Sequence, residues 1–156
     1  MVTEVPLSKR SYFFKIRSHA EIGIIKVDES VHEVQHWLHT IVKTKRLVSI
    51  FEVLTGAKGK HLDFCVFDSY KRTLASWTNG HLINESLPRI DVPSMSTWSL
   101  CIEIDVKNGT ASWTFPSKDT GEEEEWESAL PQNGPLVLVY TSRAKACSIA
   151  LRNTEP

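Results

Sequence analysis

From Thr97 to Asp105 apolar and polar residues alternate without a break. Trp98, Leu100, Ile102 and Ile104 fall on one side of an extended chain, and Ser99, Cys101, Glu103 and Asp105 on the other. A repeat of two marks a strand with one face on a core and the other in water. The same pattern recurs at Tyr12, Phe14 and Ile16 against Phe13, Lys15 and Arg17. It recurs again at Leu62, Phe64 and Val66, and at Ala111, Trp113 and Phe115. Runs at 21–27, 46–54, 135–142 and 145–152 add further strands; the second is apolar on both faces and suits a doubly covered position. Turn residues separate the runs: Asn79-Gly80, Asp91-Val92-Pro93, Asn108-Gly109 and Asn133-Gly134-Pro135. Of these, Asn108-Gly109 lies between two alternating runs and gives the strongest hairpin signal. Many short strands at this spacing predict a mainly β chain, a single-domain β-sandwich of jelly-roll-like form over residues 1–156.

Two segments follow a helical period instead. Over 31–42 the residues Val31, Val34, Trp37, Leu38, Ile41 and Val42 share one arc of a helical wheel. His32, His36 and His39 share the opposite one, behind a Ser30-x-x-Glu33 capping box. Over 121–130, Thr120-x-x-Glu123 is a second capping box. Glu122 to Glu125 would occupy the first turn, where negative charge suits the helix dipole, and Trp126, Ala129 and Leu130 would form a small apolar stripe before Pro131. A short helix is therefore expected at 31–42, and a short helix or a solvated acidic loop at 121–130.

Composition narrows the function. The chain of 156 residues is 41% hydrophobic and 24% charged with a net charge of -1, a globular profile without the basic excess of a duplex binder, so no nucleic-acid partner is expected. No apolar run is long enough to span a bilayer and the first residues carry no apolar signal core, which points to a cytoplasmic chain. Cys65, Cys101 and Cys147 are widely spaced and form no metal-knuckle pair, so reduced thiols are expected.

His32-Glu33-x-x-His36 has the spacing of zinc peptidases: two imidazoles one helical turn apart can share a tetrahedral ion, and the glutamate can polarise its water. A third ligand is missing. The helix continues as Trp37-Leu38-His39-Thr40 without the extended motif, and His39 lies two turns from His32. The expected reading is a solvated histidine face with no metal and no cofactor; a small zinc hydrolase using His32, Glu33 and His36 is the alternative. No nucleophile elbow, phosphate loop or dinucleotide fingerprint is present, and nothing in the sequence pairs Asp63, Asp68, Glu103 or Asp105. A binding role is the expected one. Trp98 and Trp113 share faces with core residues. Trp77, beside a turn, and Trp126, after the acidic run, are the aromatics expected to be exposed. The candidate binding residues are accordingly Trp126 as an anchor, Glu123 and Glu124 as its acidic surround, and Trp77. A protein partner is expected; a carbohydrate stacked on exposed tryptophans is the alternative.

The stretch from Val48-Ser49-Ile50-Phe51-Glu52-Val53 through a glycine-containing turn to Leu62-Asp63-Phe64-Cys65-Val66-Phe67 resembles the GOLD domain of Sec14-like proteins and Golgi adaptors. Downstream, Trp98 in Pro93-Ser94-Met95-Ser96-Thr97-Trp98-Ser99-Leu100 is similar to that family's tyrosine-bearing strand. The resemblance spans about residues 22–115. It implies a non-enzymatic β-sandwich acting as an adaptor for proteins or membrane-associated partners, placed in the cytoplasm or peripheral to Golgi and other membranes. It also implies that 31–42 is strand, against the wheel.

Overall fold

The computed structural model describes residues 2–27, 36, 62–86, 97–116, 122–132, 134–142 and 148–154. Eleven strands run through them: β1 Val2–Val5, β2 Arg10–Arg17, β3 Ala20–Lys26, β4 Phe64–Asp68, β5 Thr73–Thr78, β6 His81–Ser86, β7 Thr97–Asp105, β8 Thr110–Pro116, β9 Glu123–Ala129, β10 Leu136–Ser142 and β11 Ser148–Thr154. They form two antiparallel sheets, one in the order β1-β10-β3-β4-β5-β6 (sheet A) and one in the order β11-β2-β7-β8-β9 (sheet B). The two face each other as a β-sandwich, as the alternation predicts. β5 approaches β9 along one side and β10 approaches β11 along the other.

The inter-sheet core is built from the alternating residues. Tyr12, Phe14 and Ile16 of β2, Trp98, Leu100, Ile102 and Ile104 of β7, and Ala111, Trp113 and Phe115 of β8 point inward from sheet B. Ile22, Ile24, Cys65, Phe67, Leu74, Leu136, Leu138 and Tyr140 meet them from sheet A. Phe67 is the hub. Its ring stacks on Trp113 at 5.7 Å between centroids and tilts against Phe115 at 5.5 Å and Trp98 at 6.4 Å. The indole N–H groups, which must be satisfied when buried, donate to Ser18 O from Trp98 and to Ser128 Oγ from Trp113, both at 2.8 Å.

The sheets differ on their outer faces. Ile25, Phe64, Val66, Ala75, Val137 and Val139 belong to sheet A but not to the inter-sheet core, and each is buried. Strands β3, β4 and β10 of sheet A are therefore covered on both sides, whereas β6 is exposed from His81 to Glu85. Phe64 and Val66, expected from the alternation to face the core, lie on the outer side of β4, and Cys65 and Phe67 meet sheet B instead. On sheet B, Phe13, Lys15, Arg17, Thr97, Ser99, Glu123, Glu125 and Glu127 are exposed and alternate with the core residues.

Two-residue and four-residue turns close the hairpins. Asn79 and Gly80, at φ 50° and 77°, join β5 to β6 between the paired residues Thr78 and His81. Residues 106–109 join β7 to β8, with Gly109 at φ 70° and Asp105 holding the turn through bonds from Asn108. The hairpin signal at Asn108-Gly109 holds, but the tight two-residue turn is the one at Asn79-Gly80.

The helix expected over 121–130 is not formed; the segment is strand β9, paired along its length with β8 from Thr110↔Ala129 to Pro116↔Glu123. A capping box and a favourable dipole each contribute on the order of 1 kcal/mol. Seven residues of pairing, together with burial of Ser128 and Leu130 and partial burial of Trp126, outweigh them. The expectation for 31–42, helix or strand, lies outside the described residues apart from His36, which is exposed.

Candidate functional site

The open face of sheet B is built by register. Across β2, β7, β8 and β9 runs the row Phe13, Cys101, Thr114, Glu125; beside it runs Ser11, Glu103, Ser112, Glu127. Lys15 and Arg17 continue the β2 side, and Glu123 continues the β9 side opposite Pro116. Strands lie about 4.8 Å apart, so the cationic and anionic ends of the face are about 14 Å from each other. The face is thus polarised, basic on β2 and acidic on β9. Phe13, 43% exposed, is an apolar side chain set among these polar rows.

Electrostatics follow the same layout. Burial pushes the Cys101 thiol up, and the charges of Glu103, Glu123 and Glu125 push it further, a convergence of three carboxylates from two non-adjacent strands. Lys9 reaches Glu103 at 2.7 Å, and that hydrogen bond raises the ammonium above its ordinary value. Among the described residues β9 pairs on one side only, with β8.

The expected binding residues are separated by the fold. Glu123 is exposed on the outer face of β9. Glu124 and Trp126, one position out of phase, turn to the inner side. Trp126 is half-buried against the core, opposite Trp113, and its indole N–H donates to Glu124 Oε1 at 2.5 Å. Trp77 lies in the other sheet, half-buried and stacked on Phe64 at 5.9 Å with ring planes 10° apart. Of the described tryptophans none is exposed. Glu125, Glu127, Lys15 and Phe13 were missed as candidates; reading Glu-Glu-Glu-Glu-Trp-Glu as alternation rather than as a first helical turn brings them in.

Several other polar groups of the described residues are occupied structurally. Asp63 pairs with Lys26 at 3.2 Å and accepts the Asn79 N–H at 2.7 Å. Asp68 Oδ1 accepts the N–H groups of Tyr70 and Lys71, closing the β4–β5 turn. Asp105 is held below the usual carboxylate range by the Asn108 backbone N–H and then by the Asn108 side chain. Ser69 comes within 3.4 Å of His19 Nδ1, yet its buried hydroxyl is committed to the Ala20 backbone, accepting from N at 2.9 Å and donating to O at 3.2 Å. Burial pushes the Cys65 thiol up to about 12, so it holds its proton at neutral pH. No cluster of three metal-ligating side chains occurs among the described residues; His32, Glu33 and His39 lie outside them.

No family model matches the chain, and no curated protein matches it at a significant level. The chain is similar to the PSpry domain of TRIM65, with 12% identity and a TM-score of 0.49 over 99% of this chain and 68% of that one. It is also similar to peanut lectin with a nonamer peptide, with 11% identity and a TM-score of 0.49 over 99% and 79%. Lectin II from Ulex europaeus follows at 7% identity and a TM-score of 0.48, over 96% and 78%. Among the described residues no helix is long and apolar enough to cross a membrane.

Proposed function

We propose that the chain is a single-domain, non-enzymatic binding module, an adaptor that takes a protein partner on the outer face of sheet B. The observation that carries this reading is the asymmetry of the sandwich. The central strands of sheet A, β3, β4 and β10, are buried on both faces, whereas sheet B offers an open, charge-polarised face bounded by the acidic strand β9, an edge among the described residues. Glu123, Glu125 and Glu127 favour a basic surface or a basic extended segment laid beside β9, where main-chain bonds supply affinity and side-chain charge supplies choice. Trp126 and Glu124 support the strand from its inner side. The half-buried Trp77 is not part of this face. The adaptor role agrees with what the GOLD-type resemblance implies, and with it a cytoplasmic or membrane-peripheral place of action.

The test is charge reversal. Glu123→Lys, Glu125→Lys and Glu127→Lys together change only exposed positions, so the fold should keep its stability within about 0.5 kcal/mol per site. Partners cross-linked to the parent protein in cells should be lost, and binding of a purified partner should weaken steeply with salt, since exposed charges are screened beyond about 8 Å at physiological ionic strength. Partners retained in full by the triple variant would place the interface elsewhere.

A further inference from the structure

The open face of sheet B has two charged flanks and a centre of smaller side chains. Lys15 and Arg17 stand on β2, and Glu123, Glu125 and Glu127 on β9, all exposed. Among the described residues none of the five forms an ion pair. Between the flanks β7 presents Ser99 and Cys101, and β8 presents Ser112 and Thr114. Glu103, which follows Cys101 on this face of β7, is already held by Lys9 at 2.7 Å. The two flanks are three strand spacings apart, about 14 Å, too far for their charges to meet across the face.

That width decides what can lie on the face and touch both flanks. An extended chain occupies a lane of about 4.8 Å and meets one flank at a time. An α-helix with its side chains is about 10–12 Å across and reaches both. The spacing along the strands agrees. Alternate residues of β9 are about 6.8 Å apart, and residues four apart on a helix advance about 6 Å. Cations at i and i+4 of a helix therefore lie alongside successive glutamates. Phe13, 43% exposed and beside Lys15 on the outer side of β2, adds an apolar contact to the basic flank.

We propose that the partner lays an α-helix along the strands of this face, with acidic side chains toward Lys15 and Arg17, basic side chains toward Glu123, Glu125 and Glu127, and a seam of small or apolar residues over β7 and β8. The inference rests on the reading of this face as the one that takes a protein, and adds the element and its charge pattern. A wholly basic helix gains at β9 and is repelled at Lys15 and Arg17. A wholly acidic helix meets the reverse. The face thus selects against both by like charge.

Titration of the whole isotope-labelled chain with three alanine-rich helical peptides tests it. Each is about 16 residues, ~24 Å, the length of a strand such as β9. One carries glutamates on one flank and lysines on the other, one carries lysines on both, and one glutamates on both. The two-sign helix should shift the amide resonances of Phe13, Ser99, Thr114 and Glu125 saturably and bind about tenfold more tightly than either of the others. Lys15→Glu with Arg17→Glu should turn the preference to the all-lysine helix. Adding Glu123→Lys, Glu125→Lys and Glu127→Lys to that pair should restore the two-sign helix, because a helix turned end for end exchanges its flanks. Should the paired variant fail to fold, Lys15→Ala with Arg17→Ala serves, and should erase the advantage of the two-sign helix over the all-lysine one. An all-lysine helix bound tightest by the parent chain would overturn the inference and leave the reading of a basic partner standing. Shifts confined to another region, or no saturable shift with any helix, would also overturn it, whereas that reading itself fails only where the triple charge reversal keeps its partners.

Discussion

Replacing Trp98 measures how the two sheets are held together. The side chain is 5% exposed, sits opposite Ile16 of β2, tilts against Phe67 of the facing sheet, and ties its indole N–H to Ser18 O at 2.8 Å. Ser18 stands in the left-handed region at φ 68° where the chain crosses from sheet B to sheet A, so this one bond links the core to the corner. A buried tryptophan removes about 150–250 Å² from water, which at about 25 cal/mol/Å² is roughly 4–6 kcal/mol as an upper bound. Alanine keeps little of that area, so Trp98→Ala should cost about 3–5 kcal/mol, the usual range for truncating a core aromatic. Trp98→Phe keeps most of the packing and loses the bond, worth on the order of 1 kcal/mol net, so it should cost about 1–2 kcal/mol.

Urea denaturation followed by far-ultraviolet circular dichroism reads both, provided the m value stays that of the parent. The gap between the two variants carries the reasoning. A phenylalanine variant as weak as the alanine variant would show that the corner bond, not ring packing, holds this part of the core. An alanine variant within about 1 kcal/mol of the parent would show that the site collapses around the cavity, and the burial argument would fail.

Further outcomes follow from the turns and thiols. Gly80→Ala should destabilise by about 1–2 kcal/mol, because a Cβ at φ 77° is strained, while Asn79→Gly beside it should stay within about 1 kcal/mol of the parent in the same denaturation assay. Cys65 has its folded value raised above the ordinary 9 to about 12. Its contribution is therefore complete below about pH 9 and is lost as pH climbs through about 12, since only the unfolded chain ionises between the two; Cys65→Ala should flatten the alkaline slope of stability. In a Cys101→Ser, Cys147→Ser background the Cys65 thiol should resist a disulfide reagent at pH 8 until the chain is unfolded; prompt labelling would contradict its burial.

The strands most legible in the sequence are those of sheet B, because one wet face and one dry face impose a period of two. Tyr12, Phe14 and Ile16 are inward as the alternation predicts, and so is the whole Trp98 to Ile104 row. Sheet A is harder to read. Glu21 to Ile25 and Phe64 to Asp68 are buried at every position, so the alternation read at Phe64 and Val66 marked the outer face of β4 rather than the face that meets sheet B. The site was legible in composition but not in geometry. The acidic run was visible, yet its local helix signals concealed the alternation of Glu124, Trp126, Ser128 and Leu130 against Glu123, Glu125, Glu127 and Ala129. Trp77 meets Phe64 only because β4 and β5 pair, a contact thirteen positions apart (77 minus 64) that no local pattern encodes.

The charges on β9 have two consequences, and they point the same way. Among the described residues β9 is paired on one side only, and its other side presents backbone donors and acceptors, a template for any extended chain. Two copies of this chain pairing antiparallel through β9 would bring the outward glutamates at 123, 125 and 127 into register with one another. Like charges directly opposite across a sheet are destabilising. The edge therefore rejects its own kind. An extended segment carrying lysine or arginine at alternate positions meets the same glutamates as counter-charges and gains the same backbone bonds. Specificity here is a difference between two pairings that share their hydrogen bonds and differ in the sign of their side-chain term. Self-avoidance and choice of a basic partner are thus one property of the edge, which is why reversing the three charges should both abolish the partner and, in the absence of one, favour association of the variant with the parent chain.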